Sequence, residues 1–454
     1  MKNIVIIGAG LSGTLLTINL IEQGGSGGPV HITLIDRNPE RDLGPAYSSR
    51  EEALLLNVTA GRMGAYSSAP GHFLQWVRKK GLSAGEWDFL PRLLYREYIQ
   101  ELYQQAMKKK AKGTAMTRIQ GEVTDISIRN GKAEVFTENH AFHADQVVLA
   151  LGNFPPRHLL LANRSFIQSR HYFQNPWPDQ VLDSISKDET VVLIGTGQTT
   201  VDLLVRLNRI RHEGKMIAVS RHGLFPLAHS TFKEYPSFRE EIMKQNSIAG
   251  ILRVVRLHIK KSKELGQDAN AVMDSMRPYT QELWMNLTSE EKARFLRHVF
   301  RYFEILRSRI PPESEEVVKR LQESGQLTVV RGRITDLVPQ DHHLEMIYIP
   351  AGKSRPETIA SPRVINCMGP ETDYFKVDHP LIKNLLNKAE LQPDPFHLGM
   401  NALPNGAILH SDGTAHNILY TLGFPLRGII WETLAAPEIR AQAEQLAHRL
   451  LQKP

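Results

Sequence analysis

The chain has 454 residues, 41% of them hydrophobic and 23% charged, which is more than one core usually holds and argues against wholesale disorder. Its net charge of +7 is a mild excess over this length, and its single cysteine, Cys367, excludes a disulfide framework, a Cys-x-x-Cys redox pair and a multi-cysteine metal centre. No run reaches the roughly 18 apolar residues of a membrane span, so the cytoplasm is the expected location.

In chain order, Ile4-Val5-Ile6-Ile7 reads as a buried parallel strand. Gly8-Ala9-Gly10-Leu11-Ser12-Gly13 follows, then an apolar segment from Thr14 that reads as a helix. This is G-x-G-x-x-G between a strand and a helix. Gly8 permits a tight turn, Gly10 lets the backbone approach a pyrophosphate, and Gly13 lets helix and strand pack closely. The helix start offers free N–H groups and partial positive charge to an anion. A glycine turn at 24–28 leads to a second strand, His31–Ile35, ending at Asp36 and Arg37. An acid at that distance beyond the loop is where ribose hydroxyls need an acceptor. The basic run Lys108-Lys109-Lys110-Ala111-Lys112 reads as a solvated helix end, and neither nucleic acid nor membrane is an expected partner.

The same grammar recurs. Thr190–Ile194 is a strand, Gly195-Thr196-Gly197-Gln198-Thr199-Thr200 a second loop, and Val201–Val205 the start of a helix. Thr200 replaces the third glycine, so looser packing is expected there. The next strand, Met216–Val219, ends in Ser220-Arg221-His222 without an acid. A carboxylate would repel the 2′-phosphate of NADP, whereas Ser220 and Arg221 can bind it, so NADPH is favoured over NADH. Arg221 also reads as a plain surface turn residue. Thr117–Ile126 resembles Leu327–Leu337, and Gln146–Gly152 resembles Arg363–Gly369, which points to two domains of one design.

Between Arg221 and Gly325 this grammar stops. Glu240–Lys263 and Gln281–Arg309 carry helical spacing, ended by Pro311-Pro312. They read as a helical insertion that selects substrate. His298 and Arg301 would share a helical face with Arg307 beyond, an arginine fork for an anionic substrate or simply a basic solvated face. His229, His342, His343, His397, His410, His416 and His448 show no common ligand spacing, and no metal site is expected. No Gly-x-Ser-x-Gly elbow appears where a strand meets a helix, as a serine hydrolase would require. Ile418–Gly423 reads as a last strand, and a helix is expected to begin near Gly428.

These motifs resemble flavoproteins with two dinucleotide-binding domains, especially flavin-dependent monooxygenases. The Gly8–Gly13 loop is similar to their FAD fingerprint, Val148-Leu149-Ala150-Leu151-Gly152 to their A-T-G segment, with Leu151 departing in the middle, and Gly195–Thr200 to their NADPH fingerprint. A bacterial FAD/NAD(P)-binding protein family is more similar still. That likeness is carried by Leu43-Gly44-Pro45-Ala46-Tyr47-Ser48, Leu55–Met63, Pro91–Tyr98, Leu419–Gly423, Arg427–Thr433 and Pro437–Arg440. Some of its members look like N-hydroxylating monooxygenases acting on amino groups.

The resemblance implies an α/β fold with two Rossmann-like domains. The FAD domain is split over 1–170 and 363–454, and an NADPH domain spans 171–362 with the helical insertion at 231–312. It implies FAD contacts at Gly8, Gly10, Leu11, Ser12, Gly13, Asp36, Arg37, Val123, Gly152, Gly423, Gly428 and Ile429. NADPH contacts are expected at Gly195, Gly197, Gln198, Thr199, Ser220 and Arg221. The family places a segment with Asn57, Arg62 and Met63 beside the flavin, although Asn57 equally reads as a capped strand end. Arg92 and Tyr95, on one face of a helix after Pro91, face either the flavin domain or solvent. The expected activity is an NADPH-dependent oxidoreductase, foremost a monooxygenase working through a flavin hydroperoxide on a small amino-bearing substrate. An NADPH-dependent reductase with another acceptor and a non-catalytic flavin-binding protein are the alternatives.

Overall fold

The structure is a computed structural model that describes residues 1–24, 28–38, 43–178 and 180–452; part of the turn at 24–28 lies outside them. The N-terminal apolar run forms the strand Lys2–Ile7, in which Ile4, Val5 and Ile6 are almost wholly buried. Helices cover one face of its sheet and an antiparallel meander within residues 123–144 covers the other, so its central strands have no polar side. This strand pairs in parallel with Val30–Asp36 on one side and Gln146–Leu149 on the other. Thr114–Gln120 lies beyond the first and Ala415–Thr421 beyond the second, both parallel, and Ala407–Leu409 closes one edge antiparallel. The first sheet is therefore assembled from both ends of the chain. Helix Leu11–Gln23 packs against it and against the C-terminal helix Ala436–Leu451 within one apolar core.

The second sheet repeats the order. Val191–Ile194 takes the central place, with Met216–Ser220 and then Leu327–Pro339 on one side, and Arg363–Asn366 and then Tyr172–Phe173 on the other. The later part of Leu327–Pro339 continues into an antiparallel meander with Leu344–Pro350 and Glu357–Ser361. In the first half of the molecule the equivalent meander, Val123–Arg129, Lys132–Thr137 and Ala141–Ala144, is a separate sheet. The two sequence echoes thus lie at equivalent places in two sheets. One expected boundary moves as a result. Arg363–Asn366, placed in the first domain from sequence, pairs with Val191–Ile194 in the second sheet. The repeat itself required this, because Gln146–Leu149 pairs with the central strand of its own sheet.

The insertion is helical, with long helices at Ile248–Glu264 and Ser289–His298 and shorter ones at Arg239–Met243, Ala269–Met276, Thr280–Asn286 and Phe300–Arg307. Ser247 and Thr288 cap two of them by accepting from the N–H groups of Gly250 and Glu291. The helix holding His298 ends there, and a new one starts at Phe300. His298 and Arg301 therefore do not share one continuous helical face. Pro311-Pro312 starts the next helix, Pro312–Glu323, where proline's missing N–H is harmless.

Leu54, from the first half of the chain, is buried in the core of the second domain. Beside it Arg92 forms a bidentate pair with Asp202, both bonds 2.9 Å, and donates to the Leu55 carbonyl. Burial pushes the Asp202 carboxyl up, and Arg92 opposes that shift.

Candidate functional site

Both glycine loops open onto one cleft of about 1650 Å³ between the sheets and the insertion. Gly8 has φ +106, and a side chain there would overlap the Ala150 carbonyl oxygen. A side chain at Gly13 would overlap the Gly8 carbonyl, whereas at Gly10 nothing lies within 4 Å of the place a Cβ would take. The first and third glycines are thus demanded by the protein itself. The second leaves space in front of the amide-bearing helix start, which is what a diphosphate requires.

The second loop matches in detail. Gly195 has φ +118, a Cβ on it would stand 2.8 Å from the Cys367 carbonyl oxygen, and the space before Gly197 is open. Thr200 does not loosen the packing as expected. It is fully buried, and its hydroxyl donates to the Gly195 carbonyl at 2.9 Å, so the second loop accommodates a side chain at the place where the first has no space to spare. Cys367 is buried beside this loop, and burial pushes its thiol up to about 12, which makes it chemically inert.

Asp36 ends its strand at the cleft. It accepts from the N–H groups of Ala9 at 2.6 Å and Asn38 at 2.8 Å, which fixes the carboxylate against the first loop with lone pairs to spare. Leu11, Ser12, Arg37, Asn57, Met63, Val123 and Gly152 also line the cleft. The Asn57 carbonyl accepts from His229 Nε2 at 3.1 Å, so this segment is tied to the insertion. Burial, then Arg309, lowers the His229 pKa to about 4 and keeps the ring neutral.

The C-terminal residues differ from expectation. Gly423, Gly428 and Ile429 are not among the cleft-lining residues, and neither is Gly13. A side chain at Gly423 would meet the Ser12 hydroxyl 2.6 Å away, and one at Gly428 would overlap the Asp394 carboxylate. These glycines serve close packing. The helix near Gly428 is only four residues, Arg427–Ile430, of which Arg427 lines the cleft, and the N-terminus of the longer helix Ala436–Leu451 reaches the cleft as well, through Ala435 and Ala436.

Gln198, Thr199, Ser220 and Arg221 line the other end. Gln198 donates to the carbonyls of Ser308 and Arg309, so the second loop is tied to the insertion. The Ser220 hydroxyl is engaged with Thr196 Oγ1 at 3.0 Å and with the Gly223 N–H at 2.9 Å, whereas Arg221 is exposed.

Of the three substrate candidates, Arg301 and Arg307 line the cleft, whereas His298 is exposed and does not. Arg301 belongs to the second loop, where it donates to Thr196 and the Leu224 carbonyl and pairs with Glu304 at 3.0 Å. Arg307 is held by Glu432 and Glu438. Burial works against its charge, but the two carboxylates outweigh that and raise its pKa.

Sequence reading missed a cluster in the wall between these points. Asp274 is shared by Arg62 at 3.4 Å, Arg309 at 3.2 Å and Arg277 at 3.5 Å. Burial alone would raise the Asp274 carboxyl, but Arg277 and Arg62 hold it below its ordinary value. Asp274 and Arg277 lie three residues apart, but Arg62 and Arg309 are distant from them in sequence, so no local signal groups the four.

The structure also brings His410 and His416 together, with ring centroids 3.5 Å apart, beside Glu390. His416 Nε2 donates to the Glu390 carbonyl at 2.9 Å, so that nitrogen is already used, and the trio lies outside the cleft.

Residues 5–154 match the FAD-NAD(P)-binding family. No curated protein matches the chain by sequence. Among solved structures, the ornithine hydroxylase PvdA from Pseudomonas aeruginosa is 16% identical, with 99% of this chain and 98% of that one covered at a TM-score of 0.65. An ornithine N-hydroxylase from Kutzneria, described with reduced FAD, NADP+ and L-ornithine, is 13% identical over 99% of both chains at 0.64. A bacillithiol disulfide reductase from Staphylococcus aureus, 13% identical over 99% of both, gives 0.57. Residues 5–154 thus carry the likeness to the FAD-NAD(P)-binding family, and over its whole length the chain has the α/β fold, with two dinucleotide-binding domains, of these solved structures.

Proposed function

We propose that the chain is an FAD-dependent oxidoreductase that uses NADPH and acts as a monooxygenase on a small, amino-bearing substrate. The observation that carries this reading is that two equivalent glycine loops, one followed by Asp36 and the other by Ser220-Arg221, face a single cleft. The first loop and Asp36 would hold FAD by its diphosphate and adenosine ribose. The second loop would hold NADPH, with Arg221 taking the 2′-phosphate. Bound FAD would supply hydride acceptance from NADPH and the activation of oxygen. The protein's own part is to bind, orient and exclude water. The insertion walls one side of the cleft, and its hydrogen bonds to Gln198 and Asn57 fix it against both nucleotide segments.

The likeness to ornithine hydroxylases supports an amine nitrogen as the atom oxidised. A reductase working through its own dithiol has no support, since the one cysteine is buried. The test is NADPH oxidation in air by FAD-loaded protein against a panel of small amines, with peroxide and hydroxylated product both quantified. The reading expects at least one amine to accelerate NADPH use while peroxide release falls and labelled oxygen enters the product. It fails if all NADPH consumed appears as peroxide, or if a quinone drains electrons faster than any amine raises turnover.

A further inference from the structure

We infer that Arg277 and Arg309, facing Asp274 and Arg62 across the cleft wall, form a binding site for the carboxylate of a small anionic substrate. Three guanidinium groups surround one carboxylate, Asp274, so the cluster is short of negative charge. The neighbouring Arg307 does not share this deficit, being engaged by Glu432 and Glu438. The Arg309 side chain is 1% exposed, yet its Nε and Nη1 have no hydrogen-bond partner, and Arg277 Nε has only its 3.5 Å ion pair with Asp274. Buried donors of this kind lose free energy for want of an acceptor, and charged ones lose most. Burial, then Arg307, presses the Arg277 pKa down to about 10, and burial lowers that of Arg309 as well. An incoming anion relieves both.

The groups also indicate which anion. The arginines already accommodate one carboxylate, that of Asp274, at 3.2 to 3.5 Å, so their spacing suits a second of the same kind. The cofactor phosphates have other partners, the two helix starts and Arg221. All four cluster residues line the cleft, joined by Phe232, whose ring lies 5.9 Å from the Arg309 guanidinium. Asp274 remains in the same pocket as an acceptor for a substrate ammonium group. The inference rests on the monooxygenase reading for its catalytic meaning, but binding alone tests it.

The test is calorimetric titration of oxidised, FAD-loaded protein, without NADPH, using glutarate and L-glutamate, with neutral glutaramide as control. The expectation is saturable binding of at least one carboxylate and none of glutaramide. Binding should weaken about tenfold or more in Arg277→Gln and Arg309→Gln, and by only about threefold in Arg277→Lys. Flavin absorbance verifies that each variant is loaded. If Arg309→Gln fails to fold, the two Arg277 variants decide. The inference is overturned if the wild type binds neither carboxylate, or if the fully loaded Gln variants bind as the wild type does. Bleaching of the flavin by NADPH in the same samples keeps the outcomes separate. Bleaching without carboxylate binding sinks this inference alone, and carboxylate binding without bleaching sinks the flavoenzyme reading.

Discussion

At the scale of single residues, three glycines of one motif answer to different demands, and this is testable. Gly10→Ala should fold normally, because nothing lies within 4 Å of its added methyl, but the methyl enters the space assigned to the diphosphate. FAD affinity should fall about tenfold or more, read as flavin retained after gel filtration. Gly13→Ala should instead destabilise the fold by several kcal/mol, read by urea denaturation, because its methyl overlaps the Gly8 carbonyl. Equal effects of the two substitutions would contradict the assignment. Arg221→Ala should raise the KM for NADPH about tenfold while leaving NADH unchanged, since the exposed guanidinium is free for a 2′-phosphate whereas the Ser220 hydroxyl is already engaged. Both loops were legible in the sequence because every residue of the motif is adjacent to the next. The grouping of Arg62 with Asp274, Arg277 and Arg309 was not, since only the tertiary fold brings a segment of the first domain against the insertion.

At the scale of elements, the strands were legible wherever an apolar run ended in glycine, as at Ile4–Gly8 and Val191–Gly195. One element reading held only in part and another failed. A helix does begin near Gly428, at Arg427, but it ends after four residues at Trp431, whose φ is +59. The face expected to join His298 to Arg301 is lost at Val299, between two helices. Helix Arg92–Lys108 and helix Gln198–Arg209 are tied by the Arg92–Asp202 pair, which links the two halves of the molecule. Arg92→Met strands a buried carboxylate and should cost about 3–5 kcal/mol in urea unfolding, and adding Asp202→Leu should recover much of it. A double variant no more stable than Arg92→Met would show that the pair is not the link.

For the whole molecule, the repeated strand order explains why both loops meet one cleft. Each sheet carries its loop at the end of its central strand, and the insertion closes the space between them. The same packing buries histidines that must stay neutral. His229 and His416 both have pKa values lowered to about 4, His229 by burial and Arg309, His416 by burial and His410. The unfolded chain takes up protons on these rings near pH 6.5 and the folded chain does not. Their contribution is complete above about pH 6.5 and declines as pH falls toward 4. Glu438, raised by burial, works in the opposite sense. Denaturation at pH 7 and pH 5 should show the loss, and His229→Gln should remove on the order of 2 kcal/mol of it. An unchanged pH slope in that variant would contradict the neutral assignment.

The most direct measurement is anaerobic. Protein incubated with FAD and freed of excess is mixed with NADPH, and separately with NADH, while the flavin band is followed. Stoichiometric yellow protein that bleaches rapidly with NADPH and much more slowly with NADH is the predicted result. Protein that retains no FAD, or retains it and never bleaches with either nucleotide, would contradict the account.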